Sequence, residues 1–177
     1  MAVLTTPSPQ TAQQPAAAGE PAAANKLTMI VLSGDMDKVF AAFTIATGAA
    51  ASGMDVTMFF TFWGLQAIRK PRRTGRSLFG RMLSLFLKDI NGIGPSKLNL
   101  GGLGRWMFKQ MMRAHRVPTL PELRQMAVDL GVKFQACQTS LEVMELRRED
   151  LIDEVQDVVG VAAMLELARQ SKATLFI

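Results

Sequence analysis

The chain has 177 residues, of which 49% are apolar, with 20 basic and 15 acidic side chains. That length buries a full core without covalent or metal staples, and that apolar content excludes a disordered protein. One cysteine and one histidine exclude an intrachain disulfide and a Cys/His zinc cage, and a lone free thiol fits a reducing compartment such as the cytoplasm; no metal and no cofactor is expected.

Residues 1–25 are dominated by Ala, Pro, Gln and Thr, with no basic start and no long apolar stretch. They read as a disordered tail rather than a targeting signal, leaving 26–177 as a single α/β domain. Leu27–Leu32 (LTMIVL) is a short apolar run that predicts a strand. Ser33-Gly34-Asp35 follows as a tight turn in which Ser33 or Asp35 caps a helix over about Asp37–Ala51. Met54–Phe62, rich in β-branched and aromatic residues, predicts a second strand buried on both faces. Val39–Ile68 carries only one charge, Asp55, and resembles a membrane span by hydropathy. The Ser52-Gly53 break divides it into a helix and a strand, and the chain is read as a soluble domain.

Trp63-Gly64 turns the chain into a short helix at Leu65–Arg69. The next segment, about 70–116, is basic, Met-rich and Gly-rich: from Arg69 to Arg116 there are 12 Lys/Arg and one acid, Asp89. Arg76–Lys88 predicts an amphipathic helix and Arg105–His115 another helical stretch. An insertion of this length is expected to be functional or an interface. Thr119 and Glu122 have capping-box spacing, starting a helix that ends at Gly131. Val132–Cys137 predicts a third strand, Thr139–Glu145 a short helix and Glu149–Glu154 a further helical turn. Val155–Val158 predicts a fourth strand, Val161–Gln170 a helix and Ala173–Ile177 a fifth strand. Strands alternating with helices imply crossover connections and a mostly parallel five-stranded sheet covered on both faces.

Such sheets bind ligands beyond the C-terminal ends of their strands, where Ser33, Trp63 and Cys137 all fall. Cys137 sits between a strand and a helix start, where the N–H groups of Gln138, Thr139 and Ser140 favour thiolate over thiol. A buried core cysteine is the competing reading. Ser33-Gly34-Asp35 is either an anion-binding turn or ordinary helix capping. His115 is either a base that reaches the thiol from the insertion or a solvated loop residue. The basic 72–116 segment suits a protein interface, between identical subunits or with an acidic partner, or peripheral contact with an anionic membrane. No motif supports a nucleic-acid partner.

SGDMDK (Ser33–Lys38), FTFWGL (Phe60–Leu65), ACQTSLEVM (Ala136–Met144), GVAAMLELA (Gly160–Ala168) and the terminal TLFI (Thr174–Ile177) together resemble the DsrE/DsrF-like family over roughly residues 27–177. Within it they are most similar to the branch with a long insertion after the second strand, called peroxiredoxin-like. Cys137 follows Phe134-Gln135-Ala136, so a peroxiredoxin Thr-x-x-Cys is absent. The resemblance implies a flavodoxin-like three-layer α/β/α fold, a homo-oligomer and cytoplasmic sulfur trafficking alongside rhodanese-like enzymes and TusA-like carriers. The family cysteine, which accepts sulfane sulfur as a persulfide, matches Cys137. The expected function is therefore a sulfur carrier or sulfurtransferase, with Ser33, Gly34, Asp35, Trp63, Gln138, Thr139 and Ser140 lining the pocket. The second reading is a non-enzymatic oligomeric adaptor or small-ligand-binding protein that docks through the insertion.

Overall fold

Beyond their polar first residues the three central strands are mostly apolar, because both of their faces are covered. In the computed structural model of the protein, residues 24–75, 77–97 and 99–177 are described. The strands are β1 (Ala24–Val31), β2 (Asp55–Phe60), β3 (Lys133–Cys137), β4 (Val155–Val159) and β5 (Ser171–Phe176). They form one sheet in the order β4-β3-β2-β1-β5. Every pair is parallel, so the sheet is wholly rather than mostly parallel. After Asp55, every residue of β2 is buried, as a strand covered on both sides requires.

The helices are α1 (Met36–Ala51), α2 (Leu78–Phe86), α3 (Leu103–Ala114), α4 (Leu120–Asp129), α5 (Gln138–Val143) and α6 (Val161–Arg169). Helices α1 and α4 pack together on one face. Beneath α1, Phe43, Phe60 and Phe134 form an aromatic triad with ring centroids 5.6–6.2 Å apart. On the opposite face α6 lays Met164 against Phe59 and Cys137. The result is a flavodoxin-like three-layer α/β/α arrangement, with a deep core on the α1/α4 side and a thin one on the α6 side.

Several boundaries differ from the sequence reading. Strand β1 begins at Ala24, inside the stretch expected as tail, because its first residues pair with β5; residues 1–23 lie outside the described residues. Phe62–Ile68 and Arg148–Asp150 form 3-10 turns rather than the helical turns expected at Leu65–Arg69 and Glu149–Glu154. Helix α1 spans 16 residues and ends where Gly53 adopts φ +82°, and no helix among the described residues is long and apolar enough to cross a membrane.

Neither Ser33 nor Asp35 caps α1 with its side chain. The Met36 N–H donates instead to the Gly94 carbonyl at 2.8 Å. Asp37, in the first turn, accepts from both the N–H and the hydroxyl of Ser96 at 2.8 Å. The insertion thus supplies the start of α1 with partners that the local turn does not. Its middle carries Leu87, Ile90 and Ile93 into the main core. The buried Arg69 guanidinium holds its flanks together, donating to the carbonyls of Leu87 (2.6 Å) and Arg72 (2.5 Å).

Phe134 is fully buried at the centre of the triad. Phe134→Ala should therefore lower unfolding stability by about 3–5 kcal/mol, read from chemical denaturation. Ile45→Ala, on the exposed side of α1, should cost less than about 1 kcal/mol.

Candidate functional site around Cys137

The register of β2 on β3 pairs Phe60 with Ala136. One step on, Thr61 and Cys137 stand side by side at the C-terminal edge of the sheet. Alternation along β2 puts Phe60 in the aromatic triad and turns Phe59 and Thr61 to the other face. Cys137 there packs with Phe59 and Met164. Its exposure is 8%, so it is largely covered yet still touches solvent.

Cys137 is the residue from which α5 starts. Ser140, one turn into that helix, is fully buried, and its hydroxyl lies 2.8 Å from the Thr61 hydroxyl. Two hydroxyls that hydrogen-bond to each other consume one of their two protons, leaving the second for a further acceptor.

Burial pushes the Cys137 thiol pKa up. The hydroxyl and N–H of Ser140, the Thr61 hydroxyl and the Thr139 N–H together outweigh it and hold the pKa below the ordinary thiol value. The neutral thiol closes no standard capping hydrogen bond, so these donors act chiefly by favouring the charged form. Helix α5 is only six residues long, and the effect therefore rests on nearby N–H groups rather than on a long helix dipole.

The other residues expected at the site divide into two groups. Thr139 and Ser140 meet the sulfur, whereas Gln138 is exposed and donates to Glu142 at 3.0 Å. Ser33, Gly34 and Asp35 follow β1, two strand spacings or roughly 10 Å from Cys137, and the side chains of Ser33 and Asp35 are engaged elsewhere. Asp35 accepts from Lys38 at 2.9 Å and from the Ser33 hydroxyl at 3.0 Å. Gly34 lets the Trp63 carbonyl approach, since a Cβ there would strike that oxygen and Gln66. Trp63 itself is half-exposed. His115 is exposed at the end of α3, and no hydrogen bond among the described residues connects it to Cys137. Sequence reasoning passed over Thr61, whose signal was its phase: it is the penultimate residue of the run Met54–Phe62 and lies two residues on from Phe59, on the same face.

The profile of the DsrE/DsrF/DrsH-like family matches residues 23–176. The chain belongs to this family. Among relatives of known sequence, it is similar to YrkE of Bacillus subtilis, an uncharacterised protein, at 40% identity over 86% of this chain and 96% of that one. It is also similar to the sulfur carrier protein DsrE2 of Allochromatium vinosum, at 31% identity over 86% of this chain and 98% of that one. The crystal structure of YchN from E. coli shares the fold, with TM-score 0.54 at 10% identity over 86% of this chain and 98% of that one.

The lowered thiol pKa has a defined pH signature. Alkylation of Cys137 should titrate below the ordinary thiol range and slow as pH falls through the native pKa. Thr61→Val and Ser140→Ala should each raise that pKa and slow alkylation by roughly tenfold below it, the size of one charge-assisted hydrogen bond. Because the native pKa lies below the unfolded one, this group stabilises the fold above the unfolded thiol pKa. That contribution is lost as pH falls through the native value.

Proposed function

We propose that the protein is a cytoplasmic sulfur carrier that holds sulfane sulfur as a persulfide on Cys137. Family membership and the DsrE2 relative support a sulfur-relay role at the level of the family. The observation that carries the assignment to this residue is the set of donors from Thr61, Thr139 and Ser140 around a thiol that still touches solvent.

In the loading step the Cys137 thiolate attacks the outer sulfur of a donor persulfide, R–S–S⁻. A new S–S bond forms at Cys137, the donor's S–S bond breaks, and the electron pair leaves on the donor as R–S⁻. In the unloading step an acceptor thiolate attacks that outer sulfur and Cys137 departs as thiolate. The outer sulfur keeps its oxidation level throughout, so no external oxidant or reductant is needed. A depressed pKa serves both steps, since it supplies the nucleophile and improves the leaving group. A single cysteine suffices for this relay, whereas a self-contained dithiol oxidoreductase requires two.

Rhodanese-like enzymes and small TusA-like carriers, the partners the family resemblance implies, fit as donor and acceptor in this relay. Self-association into a homo-oligomer is part of this reading. Val161, Leu165 and Phe176 are exposed on the thin α6 and β5 side of the sheet, and a second copy there would cover them.

Incubation with a polysulfide donor should add the mass of one sulfur atom to the intact wild-type protein, removable by a thiol reductant. Cys137→Ser should gain none. Equal loading of both proteins, or loading of neither, would overturn the assignment.

A further inference from the structure

Helix α2 stands on the body of the protein the wrong way round for a core helix. Its buried residues are the small Gly80 and Ser84, and of its leucines only Leu83 packs partly against the core. Gly80 and Ser84 face inward, and a Cβ at Gly80 would strike the Glu145 carboxylate. Ser84 accepts from the Thr74 N–H at 2.8 Å and from Arg69 at 3.4 Å. Ser77 caps the helix, and its own N–H donates to Glu145 at 2.8 Å. These polar anchors fix the rotation of α2 and leave Leu78, Phe79, Met82, Leu85 and Phe86 outward, each between 52% and 80% exposed. Helix α3 repeats the pattern, burying Gly104 and exposing Leu103, Trp106 and Met111.

Charge accompanies this apolar face. A groove of about 640 Å³ is lined by Leu78, Met82 and Leu85 together with Arg73 and Arg81. Arg73 also lines an adjoining cavity of about 330 Å³ with Arg72, Lys88 and Arg105. Asp89 is the one acid lining that cavity among the described residues. Arg72 is paired with Asp150 at 2.6 Å and with Glu149 at 3.3 Å, so the excess positive charge rests on Arg73, Lys88 and Arg105.

An apolar stripe beside a basic concavity matches a molecule with an anionic head and a hydrocarbon tail. We infer that the insertion docks the protein on an anionic phospholipid surface, with α2 lying in the interface. Leu78, Phe79, Leu85 and Phe86 enter the acyl region, and Arg73, Arg81 and Lys88 meet lipid phosphates. A second copy on the same face fits less well. A two-fold contact would set Arg73 and Arg81 against their own symmetry mates, and residues 69–116 hold a single acid to offset 12 basic groups. The proposal does not depend on the sulfur chemistry.

Flotation of the full chain with vesicles tests it. The wild type should rise with vesicles of mixed phosphatidylcholine and phosphatidylglycerol and stay down with phosphatidylcholine alone. The exposed-face variant Phe79→Glu/Leu85→Glu should lose at least roughly tenfold in bound fraction. Arg73→Gln and Arg81→Gln should each lose about fivefold, the factor one basic residue contributes near an anionic surface. Failure of the wild type to float with anionic vesicles, equal flotation with neutral ones, or variants that float like the wild type would overturn the proposal. So would a light-scattering mass that falls in Phe79→Glu/Leu85→Glu while the wild type ignores vesicles, since that result assigns the face to a second copy.

Discussion

The parallel pairing of β2 with β3 is the constraint on which the site depends. With Phe60 opposite Ala136, Thr61 must end beside Cys137, and the pleat must turn Thr61 away from the aromatic triad. A slip of one residue would send Thr61 into the apolar core and Phe60 toward the thiol. The triad of Phe43, Phe60 and Phe134 resists that slip, because only this register seats Phe60 and Phe134 in edge contact, 5.6 Å between centroids. The packing on one face of the sheet therefore determines the chemistry on the other.

Around the sulfur, two opposing effects are balanced. Burial against Phe59 and Met164 disfavours the thiolate. The paired hydroxyls of Thr61 and Ser140 and the N–H groups of α5 favour the thiolate and outweigh that burial. A relay needs this kind of balance: a positively charged neighbour would lower the pKa further but would also weaken the thiolate as a nucleophile.

The insertion divides its labour in an unusual way. Its connecting stretch is buried, with Leu87, Ile90 and Ile93 in the core and Gly94 and Ser96 meeting the start of α1, while its helices stand outward. Loops ordinarily lie on the surface and helices bury their apolar side. Here Arg69, Ser84 and Glu145 hold α2 by polar contacts, which frees its apolar face for an external surface. The same stretch both completes the domain and extends its reach.

Much of this was legible in the residues. The alternation of apolar runs with helical patterns specified a five-stranded α/β sheet. The strand-to-helix junction singled out Cys137, and Thr119 with Glu122 marked a capping box that the structure forms. These signals are local, set by propensity, spacing and backbone N–H geometry. Tertiary structure alone decided the rest. Thr61 became a partner of Cys137 because strands 76 residues apart pair in register. The Ser33-Gly34-Asp35 turn lost its expected capping role because Gly94, distant in sequence, took the Met36 N–H. And the amphipathic helix over 78–86 displays rather than buries its apolar side, since side-chain period fixes which residues share a face but not which way that face points.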